Sequence, residues 1–293
     1  MKVLIIGSTG WIGKNVMLNA MKAGLDCSTI SRSEFWIDES FQKFVDSSDV
    51  VINCAGYAGL PNVDACELEE NKHAVQIGNV EVPRRIAKFC RDTPFLHVSS
   101  GCLFQGRRKT GKIREAIDFI DKDYSIEEWQ EDSWNEEDEP NYTGSYYART
   151  KIEGEKVLKD SDCWILRPRM FYSLLKSDKN FITKISRYNT IVNAINSVTY
   201  LGEFCISIIK CITNPAPFGI YNITHPIPIL TSRVLEAIGE KDKSYVQCEA
   251  FNKGMVEKGL AQRSFTTLDS RKSIKHGIAL SDDPMKLIRQ YMS

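Results

Sequence analysis

The sequence predicts an α/β fold, a doubly wound parallel sheet followed by a smaller C-terminal lobe, and three observations predict it. The chain opens Met-Lys-Val-Leu-Ile-Ile-Gly7-Ser-Thr-Gly10-Trp-Ile-Gly13, a short buried strand that runs into a glycine-rich turn and then an amphipathic helix. Apolar strand-like runs recur through the first 170 residues and alternate with helical patterns. That is how parallel strands joined by crossover helices read. Beyond Arg167 the rhythm breaks into shorter pieces.

Taken in order, residues 3–6, 28–30, 50–53, 95–99 and 164–167 read as strands, with helical patterns over 13–23, 80–90 and 147–158. Connections within such units cross right-handedly, and ligands lie at the carboxyl ends of the strands. Further on, 180–188 looks helical, 190–193 and 197–201 look like short strands, and 202–213 looks like a helix. Residues 219–224, Gly-Ile-Tyr-Asn-Ile-Thr, read as a strand that returns to the main sheet. The expected division is a dinucleotide-binding domain of residues 1–170 with about 217–224, and a substrate-binding lobe of 171–216 and 225–293. The polar stretch 107–142, with Trp129 and Trp134, reads as a long ordered insertion beside the site. There is no internal repeat.

At 293 residues, 42% hydrophobic and 26% charged, the chain is an ordinary globular protein with a large core. Its net charge is zero and its pI about 6.9, so nothing points to nucleic acid. The basic run Arg107-Arg108-Lys109 and the acidic one that follows it, 127–139, read as solvated faces of the insertion. Nine cysteines without a Cys-x-x-Cys pair suit a reducing cytoplasm. Four scattered histidines argue against a metal site. The apolar run after Lys2 is too short for a signal peptide, and none approaches membrane-spanning length.

The opening turn brings backbone N–H groups and a helix N-terminus up to a pyrophosphate, which makes it a Rossmann-type dinucleotide site. Gly7, Gly10 and Gly13, with Thr9, Trp11 and Ile12 between them, are the expected cofactor contacts. Asn53-Cys-Ala55-Gly56 at the end of the third strand is a second turn beside the cofactor. After the second strand come Ser31-Arg32-Ser33, with no acidic residue to accept from a ribose 2′-OH. Arg32 can instead pair with a 2′-phosphate, favouring NADPH over NADH; a plain surface arginine is the other reading. In Tyr147-Ala-Arg-Thr-Lys151 the tyrosine and lysine lie four apart on a predicted helix and leave the same face. An ammonium beside a phenol lowers the tyrosine pKa towards the working pH. A dinucleotide site with an activated tyrosine implies hydride chemistry at a carbonyl. If the fourth strand stays extended past its end, Ser100 and Cys102 face the cleft together, the serine as donor to the carbonyl. From physics alone Cys102 reads as a buried structural thiol, and Lys184 as a helix-surface lysine.

The glycine spacing resembles that of extended short-chain reductases. From residue 1 to about 225 the chain resembles, more closely, the epimerase/reductases that complete UDP-L-rhamnose synthesis in plants. Gly10-Trp-Ile-Gly13, Pro61-Asn-Val-Asp64 with Cys66, Gly101-Cys-Leu-Phe104, and Gly144-Ser-Tyr-Tyr147 with Lys151 carry the resemblance. So does the ten-residue run Asn180-Phe-Ile-Thr-Lys-Ile-Ser-Arg-Tyr-Asn189. More distantly it is similar to dTDP-4-dehydrorhamnose reductases and GDP-fucose synthases. The resemblance implies that Ser100, Tyr147 and Lys151 form the reductase set, and that Cys102 and Lys184 are the epimerisation acid–base pair. It also implies that Asn180, Lys184 and Arg187 join Ser100 and Cys102 in binding a UDP-sugar. Reductase-only relatives carry tyrosine where Cys102 stands, which favours a bifunctional 3,5-epimerase/4-reductase. A separate 4,6-dehydratase is the expected source of the 4-keto substrate, and a homodimer is one assembly left open. Two other readings stand beside this one: a reductase without epimerase activity, and an NADP-binding regulatory subunit without turnover.

Overall fold

A computed structural model of the chain describes residues 1–115 and 124–292. The strands are β1 (Lys2–Ile6), β2 (Asp26–Thr29), β3 (Val50–Asn53), β4 (Phe95–Val98), β5 (Cys163–Arg167) and β6 (Phe171–Tyr172). They continue as β7 (Thr190–Val192), β8 (Ile195–Asn196), β9 (Thr199–Tyr200), β10 (Gly219–Asn222), β11 (Ile229–Leu230) and β12 (Ser244–Val246). Six of them form the central sheet in the order β10-β5-β4-β3-β1-β2, with every neighbouring pair parallel. The order reverses between β1 and β3, so the crevice for a ligand opens beyond their carboxyl ends.

Both faces of the sheet are covered, which is why its central strands are apolar almost throughout. Val3 and Ile5 point to one face, packing with Val16 and Ala20 of α1 (Trp11–Lys22). Leu4 and Ile6 point to the other. There they meet the short helix α2 (Arg32–Phe35), α3 (Asp38–Asp46) and, beyond α4 (Glu69–Gln76), α5 (Val82–Phe89), through Phe35, Phe41, Val45, Val82 and Ile86. After α6 (Ile126–Glu131) and α7 (Tyr146–Lys156), a separate cluster builds the lobe around α8 (Phe181–Arg187). Tyr172, Ile182, Ile185, Ile191 and Val198 belong to it, with Val234 and Leu235 from α10 (Thr231–Ala237).

Three departures from the sequence reading have physical causes. The helix α9 (Leu201–Thr213), expected in the lobe, lies on the main sheet beside α1. Its Phe204, Cys205, Ile208, Cys211 and Ile212 share a core with Val3 and Ile5. A strand that rejoins a parallel sheet needs a crossover, and α9 is the crossover between β5 and β10. Secondly, the helix expected from residue 80 begins at Glu69 and passes through a π turn, Ile77–Glu81, into α5. Its first eight residues bury only Val75, and the π turn breaks the 3.6-residue repeat. Thirdly, the two charged runs of the insertion are not simply solvated but meet each other. Arg107 pairs with Asp132 at 2.5 Å, Arg108 with Asp138 at 2.7 Å and Lys109 with Glu131 at 3.3 Å. Trp134 stacks on Phe104 with ring centroids 5.2 Å apart, so the described part of the insertion is tied to the body. Residues 116–123 of it lie outside the described residues.

Gly154 lets α7 close on the π turn: a Cβ there would stand 2.1 Å from the Asn79 carbonyl oxygen. In α11 (Cys248–Glu257), which precedes α12 (Arg271–Lys275) and α13 (Pro284–Ile288), Gly254 has no atom within 4 Å of that position. Alanine gains about 1 kcal/mol of helix propensity at either site. Overpacking against backbone costs about 1–3 kcal/mol, which outweighs that gain at position 154 alone. Gly154→Ala should therefore lower the urea midpoint and Gly254→Ala raise it. Denaturation of both variants by circular dichroism checks the pair.

Candidate active site

At the end of β1, Gly7 takes φ +80°, and a Cβ on it would come within 2.6 Å of the Ala55 nitrogen. Glycine is needed there because the turns after β1 and β3 touch. A Cβ on Gly13 would lie 2.2 Å from the Gly7 carbonyl oxygen, so the helix also sits against its own turn. Gly10 N–H donates to that oxygen at 3.0 Å. Gly10 is also the N-cap of α1, and no side chain caps it. The backbone N–H groups of the first turn remain donors for an anion. Thr9 is exposed at the turn, while Trp11 and Ile12 pack inward, the Trp11 ring edge-on to Phe171 at 6.2 Å.

Asn53 shapes the second turn. Its Oδ1 accepts from Ala55 N–H at 2.9 Å and its Nδ2 lies 2.9 Å from His97 Nδ1. Burial, helped by Lys151, holds His97 well below the usual imidazole range, so it stays neutral. Gly56 lies bare beside the lysine: a Cβ would stand 3.3 Å from both Lys151 Nζ and Asn79 Oδ1. Arg32 is exposed at the start of α2, whose N-cap is Ser31. Glu34, the nearby acidic residue, is turned back onto Ser31, accepting from its N–H at 3.1 Å and its hydroxyl at 2.5 Å.

On α7, Ser145 caps the first turn by accepting from Ala148 N–H at 3.1 Å. Tyr147 and Lys151 follow one turn apart. Ser100 is buried, hydrogen-bonds Tyr147, and accepts from the Cys102 N–H at 3.1 Å. The meeting of Ser100 and Cys102 does not come from strand alternation. β4 stops at Val98 and the chain turns, and the turn itself brings the half-buried Cys102 beside Ser100. Tyr147 also departs from expectation. Burial first, then the nearby Cys102, push its phenol up, against the hydrogen bond from Ser100. Lys151 does not reverse this, for its ammonium donates to the Val98 carbonyl at 3.2 Å. Burial brings Lys151 itself down to about 8, with Glu155 opposing. The phenol is thus held as a proton donor.

Lys184 is half-buried on α8, and burial together with the cations Arg263 and Lys179 draws its pKa down. Arg263 in turn forks onto Asp64 with two contacts of 2.9 Å. Asn180 has a different part from the expected substrate contact. Its Oδ1 caps α8 at Ile182 N–H, 3.0 Å, and its Nδ2 donates to the carbonyls of Ser173 and Leu175, both 2.8 Å. Fully buried, it has no donor left for a ligand. Arg187 is exposed and pairs with Asp178 at 2.6 Å.

Two neighbours of Cys102 escaped the sequence reading. Arg169, two residues past β5, donates from Nη1 to Cys102 Sγ at 3.3 Å. Its place at a strand's carboxyl end was the available signal. Tyr142 is buried, its phenol pushed up by burial and by Cys102, and its hydroxyl has no partner among the described residues. Tyr142 also lines a groove of about 520 Å³ with Gly144, Asn252 and Gln262. Among the described residues no cluster of His, Cys, Asp and Glu could hold a metal, and no helix is long and apolar enough to cross a membrane.

The model of the RmlD substrate binding domain matches residues 1–200. A trifunctional UDP-glucose 4,6-dehydratase/UDP-4-keto-6-deoxy-D-glucose 3,5-epimerase/UDP-4-keto-L-rhamnose-reductase of Arabidopsis thaliana is 33% identical over 256 residues. That alignment covers 84% of this chain and 34% of the relative, so the chain spans about a third of its length. A bifunctional dTDP-4-dehydrorhamnose 3,5-epimerase/dTDP-4-dehydrorhamnose reductase of the same plant is 34% identical, covering 80% of this chain and 73% of the relative. Among solved structures, the UDP-rhamnose synthase of Acanthamoeba polyphaga mimivirus superposes with a TM-score of 0.82 at 22% identity, covering 100% of this chain and 99% of that one. A dTDP-4-dehydrorhamnose reductase of Bacillus anthracis in complex with NADP superposes at 0.73 with 16% identity, covering 99% and 96%. Glycine turn, serine–tyrosine–lysine set and sequence match agree: the chain belongs to the RmlD substrate-binding-domain family of sugar-nucleotide dehydrorhamnose reductases.

Proposed function

We propose that the chain is a bifunctional 3,5-epimerase and NADPH-dependent 4-reductase that converts UDP-4-keto-6-deoxy-D-glucose to UDP-L-rhamnose. The observation that carries the reading is the gathering of Cys102, Ser100 and Tyr147: the Cys102 N–H donates to the Ser100 hydroxyl, which hydrogen-bonds Tyr147, and Cys102 acts electrostatically on that phenol. The relatives whose names join epimerase and reductase support it, as does the UDP-rhamnose synthase that shares the fold. A 4,6-dehydratase supplies the keto substrate, and a reducing cytoplasm suits the nine free thiols.

The cofactor fits the residues present. Gly7 and Gly13 keep Cβ atoms out of the turn, and the uncapped start of α1 offers N–H groups to a pyrophosphate. Arg32, with Glu34 engaged by Ser31, suits a 2′-phosphate, while Lys151 beside Gly56 suits the nicotinamide ribose. NADPH, when bound, supplies a hydride to C4.

Protons at C3 and C5 of a 4-keto sugar are acidic because each is adjacent to the carbonyl. Cys102 takes a proton from one face and Lys184 returns one from the other, which inverts the centre. The charge released goes to O4, where Ser100 and Tyr147 donate. In the reductive step the same Tyr147, kept protonated by its surroundings, gives its proton to O4. One pair of hydroxyls therefore serves both reactions.

Arg32→Ala should weaken NADPH more than NADH, measured by fluorescence titration of each. Equal losses would remove Arg32 from the 2′-phosphate, and a tenfold preference of the parent for NADH would overturn the cofactor assignment.

The two steps should separate by mutation. Tyr147→Phe should slow reduction by about 10²–10⁴-fold, the usual worth of a general acid, while retaining some exchange. Cys102→Ala and Lys184→Ala should each suppress entry of solvent deuterium at C3 and C5 in the absence of NADPH, with NADPH binding kept. Mass and NMR analysis of recovered substrate reads this. Full exchange in Cys102→Ala would return Cys102 to a packed structural thiol and assign the proton abstraction to another group.

A further inference from the structure

We propose that Arg169 is a positioning residue for proton abstraction, a buried cation that holds the sulfur of Cys102 as a thiolate; the idea rests on the epimerase reading above. Two arginines lie two residues apart at the end of β5, and both are 2% exposed. Arg167 is neutralised by Glu155, 2.6 Å away. Arg169 forms no ion pair with any described carboxylate. Its Nη1 donates to Cys102 Sγ at 3.3 Å, Ser264 Oγ at 3.0 Å and the Gly101 carbonyl at 3.5 Å. Its Nη2 donates to Asn196 Oδ1 and the Ser264 carbonyl, both at 2.6 Å.

Neutral oxygens take up the protons of both Nη atoms while Nε has no partner among the described residues, and none of these contacts offsets the charge. An uncompensated buried ion costs several kcal/mol, so a fold that keeps one either supplies an anion or uses the charge. The ionisable groups that act on Arg169 are Cys102 and Tyr142. Tyr142 is pushed by burial towards the neutral phenol, and Cys102 alone touches the guanidinium. A guanidinium against sulfur favours the thiolate, the form that acts as a base.

In the step this serves, the C–H bond beside the keto group breaks and an S–H bond forms. The electron pair passes into the enolate, and the negative charge moves from sulfur to O4. No outside oxidant or reductant takes part. Arg169 stabilises the charge where it starts, and Ser100 and Tyr147 stabilise it where it arrives.

The test is alkylation of the purified full chain by iodoacetamide, with Cys102 followed by peptide mass spectrometry across pH. Arg169→Gln should slow modification of Cys102 at pH 7 by about tenfold or more, since the thiolate is the reactive form, and the deficit should close towards pH 10. Arg169→Lys, which keeps the charge, should recover most of the rate. A rate and pH profile unchanged in Arg169→Gln would overturn the proposal, whatever happens to stability. Should that variant fail to fold, Cys102→Asp and Cys102→Asn give a second reading, being isosteres that differ by one charge. The aspartate variant should melt above the asparagine variant, and the reverse order would contradict a site built for an anion. Failure of the epimerase reading shows separately, as a parent chain that exchanges no substrate deuterium while these results hold.

Discussion

The buried ion pair between Glu155 and Arg167 is the contact on which the rest of the site depends. Tyr147, Lys151 and Glu155 stand at four-residue steps along α7 and form one stripe. Glu155 accepts from Arg167 at 2.6–3.2 Å and from the Ser99 hydroxyl at 2.5 Å. One turn earlier, Lys151 donates to the carbonyl of Val98. The helix is thereby held to two successive residues of the chain leaving β4, and Ser100 is the next. Removing one partner of such a pair costs on the order of 3–5 kcal/mol, more than most single contacts. Its value lies in register: it sets the phenol of one element against the hydroxyl of another.

From that register follows the economy of the site. In the reaction proposed for this chain, two carbon acids flank a carbonyl that is itself to be reduced, so the same oxygen bears charge in every step. A fixed pair of hydroxyls at that oxygen helps each step in turn. What differs in the proposed steps is the group at carbon, and the two residues proposed for it stand on separate elements. Cys102 sits on the turn after β4, and Lys184 on α8 of the lobe. The Arg263–Asp64 pair joins the lobe side to the loop after β3, with Arg263 close enough to depress Lys184. The contact between the lobe side and that loop thus also sets the electrostatic surroundings of Lys184.

Much of this was legible in the sequence because strand and turn signals are local. Gly7, Gly10 and Gly13 announce a turn that a Cβ would block, and the parallel return of β10 was readable from residues 219–224. The π turn was hidden because polar residues around Val75 leave no apolar period. α9 looked like part of the lobe, since periodicity identifies a buried face but not the surface that buries it. Asn180 and Arg169 show the same limit at the site. The sequence marks Asn180 as polar near the chemistry and leaves Arg169 unmarked, and only the fold decides that one is spent on a cap and the other aimed at sulfur. The phenol of Tyr147 is a further case, because spacing places a lysine near it while burial sets its proton affinity.

The central claim is that one chain inverts two centres and then reduces the ketone between them. Incubation of the purified chain with UDP-4-keto-6-deoxy-D-glucose and NADPH, with the sugar product identified by NMR, tests it most directly. The account requires UDP-L-rhamnose as the product, formed with one NADPH consumed per sugar. A 6-deoxy sugar that keeps the substrate's configuration at C3 and C5, or recovery of unchanged substrate, would contradict it.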